Sequence, residues 1–259
     1  IRAEIYKLLH RPYTYITLGV MLVLEGLLVA GHAFHNAHSL ATPFGGAIVL
    51  ITDMGIIGFC MCMITGDVVF AGQYKNATLK NEVSFGLSRT QIYMGKFLAQ
   101  TLLSITYLVV MIGFYLGACA VILPIEPLPV EGFYSISSTN GLIIVGYFLA
   151  VGLPLWIGGQ AVMCMCLFLV NGEQTSSFLY VGIMFVLEAV ISIVSSFAGG
   201  RTGEILALIG SHMPRPMLEI AKSVVGDWAY MGKAWLVGAF WVAVCTAVGL
   251  YGFKKKEIK

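Results

Sequence analysis

Charge is what this chain has least of. Asp, Glu, Lys and Arg make up 11% of its 259 residues, where soluble domains carry about 25%. A chain this poor in charge, and 58% apolar, is excluded as a soluble domain and reads as an integral membrane protein. Enzyme motifs are lacking too. No G-x-x-x-x-G-K-[ST] loop is present to cradle phosphates, and Gly95-Lys96 runs directly into an apolar stretch. Neither H-E-x-x-H nor G-x-S-x-G occurs. An enzyme acting alone is therefore not expected, no catalytic residue is assigned, and nothing points to nucleic acid. The six cysteines all lie in apolar runs rather than in polar loops, so disulfides are not expected and small buried residues are. No cleavable signal peptide is expected either, because the polar residues 2–11 lead straight into a long apolar run.

What the chain does have is six apolar runs long enough to cross a bilayer, at residues 14–31, 44–70, 97–123, 142–170, 176–197 and 234–253. Pro154 interrupts the fourth and predicts a kink. The distribution of Lys and Arg orients them. Eleven fall in the N-terminus, in residues 71–96 and in the tail, and four fall in residues 198–233. Six spans with both ends cytoplasmic satisfy the positive-inside rule. No tandem repeat or long linker divides the chain, so residues 1–259 form one domain.

Three segments outside the spans carry helical patterns. Residues 1–13 are basic, with Tyr6, Leu9 and Tyr13 at helical spacing and a break at Pro12, which predicts an in-plane helix at the interface. Residues 71–96 form the longest basic interruption, and in them Leu79, Val83 and Leu87 make one stripe on a short surface helix, about residues 76–85. Gly86 is placed to end that helix in a left-handed turn. Ser88 and Gln91 then form a capping box for the next span. A cytoplasmic helix of this kind is a handle for a soluble partner. Finally, Met217, Ile220, Ala221, Val224 and Val225 predict a short outer helix before span six, and a shorter one is expected before Pro214.

Four acids lie in or beside apolar runs: Glu25, Asp53, Asp67 and Glu188. Asp67 is near the inner end of its span, where water reaches it. Glu25, Asp53 and Glu188 are candidates for a substrate path, since intramembrane ionisable groups usually face a cavity or a partner. No basic residue in any span is available to pair with Glu25 or Glu188. Protonated acids hydrogen-bonded between helices are the competing reading.

Other patterns are weaker. Cys60-Met61-Cys62-Met63 and Met163-Cys164-Met165-Cys166 offer soft ligands. Residues two apart on a helix point about 200° apart, so packing is the better account and no metal site is assigned. His32, His35 and His38 share helical spacing but have no carboxylate or cysteine to join them. Gly113-x-x-x-Gly117 is a weak pointer to close helix approach.

One resemblance draws these features together. The run Tyr74-Lys75-Asn76-Ala77-Thr78-Leu79-Lys80, then Leu87-Ser88-Arg89 and Tyr93-x-Gly95-Lys96, resembles the E-x-G-T-L-K … S-R-x-x-I-x-x-x-K segment of ABC type 2 export permeases. Glu4-x-x-Lys7 and the closing Phe253-Lys254-Lys255-Lys256-Glu257-Ile258 are similar to that family's ends. The resemblance implies an all-α polytopic membrane protein with six spans, an N-terminal in-plane helix, a cytoplasmic coupling helix between spans two and three and a short outer helix before span six. It implies a permease dimer, of two copies or of this chain with a homologous permease, in the cell membrane. A separate cytoplasmic ATPase would bind ATP and Mg and dock through Asn76, Leu79, Lys80, Val83, Leu87 and Arg89. In size and in lacking a fused ATPase, the chain is similar to bacterial permeases for antimicrobial peptides, including lantibiotic self-protection systems. Two other functions stay open: a self-contained ion-coupled transporter or channel using Glu25, Asp53 and Glu188, and a membrane scaffold without transport.

Overall fold

The structure is a computed structural model that describes residues 2–38, 44–53, 55–71, 78–123, 138–170 and 172–256. Among these residues the chain is all helical, with no strand. The helices are α1 (Arg2–Leu9), α2 (Pro12–His38), α3 (Phe44–Asp53), α4 (Gly55–Phe70), α5 (Thr78–Ser84), α6 (Arg89–Ile122) and α7 (Ser138–Leu169), then α8 (Glu173–Val181), α9 (Leu187–Phe197), α10 (Gly200–Ser211), α11 (Pro214–Ala221) and α12 (Trp228–Lys255). A π-helical turn, Gly182–Val186, joins α8 to α9.

Among the described residues five continuous stretches are long and apolar enough to cross a membrane: Pro12–Phe34, Arg89–Ile122, Asn140–Leu169, Gln174–Phe197 and Trp228–Lys255. The stretch expected as the second span holds α3 and α4, on either side of Met54, which lies outside the described residues. Gly55 is buried where a Cβ would lie 2.5 Å from the Phe148 ring, so its lack of a side chain lets α7 approach closely.

The core is built around α7, which packs on α3, α4, α8, α11 and α12. Pro154 sits within α7, and Gly238 of α12 lies directly against it; a Cβ there would be 2.5 Å from the Pro154 carbonyl oxygen. Helices approach closely there, not at Gly113 and Gly117, where an added Cβ meets nothing within 4 Å of the same chain.

At one end of the bundle the helices are pinned by basic side chains. Arg89, at the start of α6, donates to the carbonyl oxygens of Phe253 at 2.5 Å, Lys254 at 2.8 Å and Lys256 at 2.8 Å. Lys256 donates to Phe168 O at 2.9 Å and Val170 O at 3.2 Å. These are the last turns of α12 and α7, whose unpaired carbonyls and negative dipole ends attract cations. Ser88 and Gln91 form the expected capping box on α6, and Gly86 turns the chain at φ 85°.

The opposite end is closed by the segment before α12. α10 folds back along α9, and α11 covers the bundle with Met217, Leu218 and Ala221 buried. The expected stripe ran to Val225, but the helix begins at Pro214 and stops at Ala221. Proline fits the first turn of a helix, and Gly226 at φ 90° turns the chain so that Asp227 can cap α12. Tyr147 O–H donates to Asp227 O at 2.8 Å, and Tyr230 O–H to Met217 O at 2.7 Å.

Candidate functional site

Two sites stand out, a cavity in the bundle and an ion cluster at the basic end. The cavity, about 310 Å³, is walled by α2, α3, α4, α6 and α7. Its surface is largely apolar, from residues such as Met21, Met61, Leu108, Met111 and Trp156. Trp156 donates its indole N–H to Gly55 O at 3.3 Å, so one wall is fixed by the close passage of α4. Glu25 is the acid that reaches it. Its side chain is buried, at 7% exposure, and Oε2 has no hydrogen-bond partner. The neighbouring Tyr115 O–H is spent on Ala47 O at 3.0 Å. Gln160, which also lines the cavity, is hydrogen-bonded to Gln100 and donates to Thr65 at 3.1 Å.

Of the three acids of the predicted path, Glu25 and Glu188 do not meet. Asp53 ends α3, and its side chain lies outside the described residues. Glu188 does not line the cavity. It receives a bidentate pair from Arg215, with Nε 2.6 Å from Oε2 and Nη2 3.1 Å from Oε1. The spans offer Glu188 no base, and its partner comes from outside them, from α11, because the α10–α11 segment folds back toward α9. Asp67 accepts from Ser177 O–H at 3.2 Å.

At the basic end, Lys96 is fully buried about two turns inside α6. Its Nζ lies 3.4 Å from Glu4 Oε2 and 3.5 Å from Glu82 Oε2. Lys7 Nζ closes the ring from the outside, 2.8 Å from Glu4 Oε1 and 2.9 Å from Glu82 Oε1. Each carboxylate bridges both lysines, so α1, α5 and α6 are tied at one point. Arg11 adds a bond to Val68 O of α4 at 3.2 Å. Sequence reasoning missed this ring because Glu4, Glu82 and Lys96 are distant in the chain; the available signal was a lysine about two turns inside an apolar helix.

Burial would raise the Glu4 carboxyl, but Lys96 and Lys7 outweigh it and hold the group below its ordinary value. Burial likewise opposes the charge on Lys7, and its bonds to Glu4 and Glu82 reverse that and raise it. A depressed carboxyl stabilises the fold above its unfolded value and loses that contribution as pH falls through the folded one. Amide protection of α1 should therefore hold steady from about pH 5 to 8 and fall only below about pH 4, under the ordinary Glu value. Hydrogen exchange across that range measures it. A loss of α1 protection between pH 5 and 8 would contradict the ring.

The predicted docking residues are spread differently. Asn76 lies outside the described residues, as does the side chain of Leu79. Lys80 is exposed. Val83 is half-buried and packs on the core, whereas Leu87 is 48% exposed and Phe85, at 86%, stands clear of the protein. Arg89 is engaged by the α12 carbonyls. The face α5 leaves open is thus Phe85, Leu87 and Lys80, and the face it turns inward carries Val83 and Glu82.

Among the described residues no three of His, Cys, Asp and Glu form a metal-holding group. In the Cys-Met runs, Cys62 donates to Gly58 O at 3.3 Å while Cys60 is exposed, so the pair faces opposite ways. The side chains of His35 and His38 lie outside the described residues.

Residues 1–173 match the family model described as ABC-2 family transporter protein. The chain belongs to that family. No curated protein matches it. An ABC-2 permease is a multi-pass membrane subunit without an ATPase domain of its own, and membership implies an ATP-binding partner in general. The match covers α1 to α7 and thus both the cavity and the ion ring.

Proposed function

We propose that this ABC-2 permease is the transmembrane subunit of an ATP-driven exporter of a hydrophobic or amphipathic compound. The observation that carries the reading is the cavity, largely apolar and walled by the helices of the bundle. Such a pocket suits a compound that partitions into the bilayer and enters sideways. In this reading the chain crosses the cell membrane six times, counting α3 and α4 as one span, with the basic end cytoplasmic. α1 lies in the plane of the interface and α5 docks a separate ATPase, which binds ATP and Mg. A second permease, identical or homologous, completes the transporter. The antimicrobial-peptide class of substrate, lantibiotics among them, rests on resemblance alone.

Alternating access follows from the ties at the basic end. Closure of the ATPase pair moves α5. The Glu82–Lys96–Glu4 contacts carry that motion to α6 and α1, and both α6 and the adjoining α2 wall the cavity. Vesicles reconstituted with the ATPase test the scheme against an ion-coupled transporter. Transport should need ATP and continue when the proton gradient is collapsed. Transport driven by the gradient alone would sink the exporter reading.

A further inference from the structure

Resting on that reading, we infer that the cavity recognises a hydrophobic group bearing a single positive charge, with Glu25 as its counter-ion. Three observations carry this. The walls around Glu25 are apolar side chains of α2, α4, α6 and α7, so an apolar body is favoured there. Glu25 is buried, and its Oε2 reaches no donor. The nearby hydroxyl that could have supplied one, Tyr115, is turned to Ala47 O. A carboxyl kept from water with an unfilled acceptor costs free energy unless a partner arrives. Among the described residues no Lys, Arg or His lines the cavity, so the missing positive charge has to come with the ligand. Glu188 and Asp67 do not share this state, since Glu188 is held by Arg215 and Asp67 accepts from Ser177.

Size narrows the class. A cavity of about 310 Å³ lies at the low end of small-molecule pockets, which run from about 300 to 1,000 Å³. It takes a compact lipophilic cation whole, and only one side chain or short segment of a longer chain.

Tetraphenylphosphonium and tetraphenylborate, alike in shape and opposite in charge, make a direct test. Equilibrium binding of each would be measured on the full-length permease in lipid nanodiscs, with uptake by empty nanodiscs subtracted. The wild type should prefer the cation. Glu25→Gln should weaken cation binding on the order of 30-fold or more, the cost of losing one partner of a buried charge pair, while leaving the anion no weaker. Glu25→Asp keeps the charge and should keep the preference. Equal binding of the two ions by the wild type, or a preference that survives Glu25→Gln, overturns the inference. If Glu25→Gln loses both ions, Glu25→Asp decides: retention of the cation preference supports the site, and its absence removes it. ATP turnover by the complex reports on export separately. Cation binding that never stimulates turnover tells against export and leaves the site standing. ATP-driven export of another compound, without any charge preference in the cavity, overturns the site alone.

Discussion

Lys96→Met is expected to destabilise the permease by about 3–5 kcal/mol, the range for removing one partner from a buried ion pair. Lys96 is fully buried, and it separates two carboxylates that would otherwise face each other across the gap. Lys7 remains, but it approaches from the half-exposed side, where water screens its attraction. The pH response should invert. With Lys96 gone, Glu4 and Glu82 become like charges in a poorly hydrated site, and one of them gains by taking up a proton. The variant should then recover stability as pH drops toward 5, in contrast to the wild type. Thermal unfolding of the solubilised protein at pH 5 and 8 measures both effects. An unfolding temperature unchanged from wild type at both values would show that the ring holds nothing.

The ion ring also marks how far the sequence could be read. Features set by neighbours in the chain were legible: Ser88 and Gln91 cap α6, Gly86 turns after α5, and Pro154 sits inside α7. Each is decided within a few residues by backbone conformation or a local hydrogen bond. Glu25 was visible as an acid in an apolar run. What its carboxyl faces depends on how α2, α4, α6 and α7 meet, which no local pattern encodes. The same holds for Glu188. It looked bare because its base, Arg215, belongs to a segment assigned to the outer loop, and only the return of α10 and α11 brings the two together. Glycine spacing was a poor guide to helix approach. Gly113 and Gly117 fit the G-x-x-x-G pattern, yet an added Cβ there meets nothing within 4 Å, while Gly238, spaced from Ala234 rather than from a glycine, meets the Pro154 backbone.

Phe85→Asp combined with Leu87→Asp is expected to abolish co-purification of the ATPase while the permease still reaches the membrane. The sequence stripe of Leu79, Val83 and Leu87 would direct the test to Val83. The structure turns Val83 inward onto the core, so a charge there would disturb the permease itself and confuse the result. Phe85 and Leu87 are the apolar side chains that α5 and its turn leave exposed, beside Gly86 in its left-handed conformation. An exposed aromatic on a rigid turn is the kind of anchor that carries most of an interface's energy, about 2 kcal/mol or more each. Loss of both should reduce affinity by on the order of a thousandfold, enough to lose the complex during isolation. Because neither side chain packs on the chain's own core, unfolding of the permease alone should stay within about 0.5 kcal/mol of wild type. Val83→Ala supplies the converse: a modest loss of stability with the ATPase still bound. A complex that survives Phe85→Asp with Leu87→Asp intact would show that the partner grips the permease somewhere other than α5 and its turn.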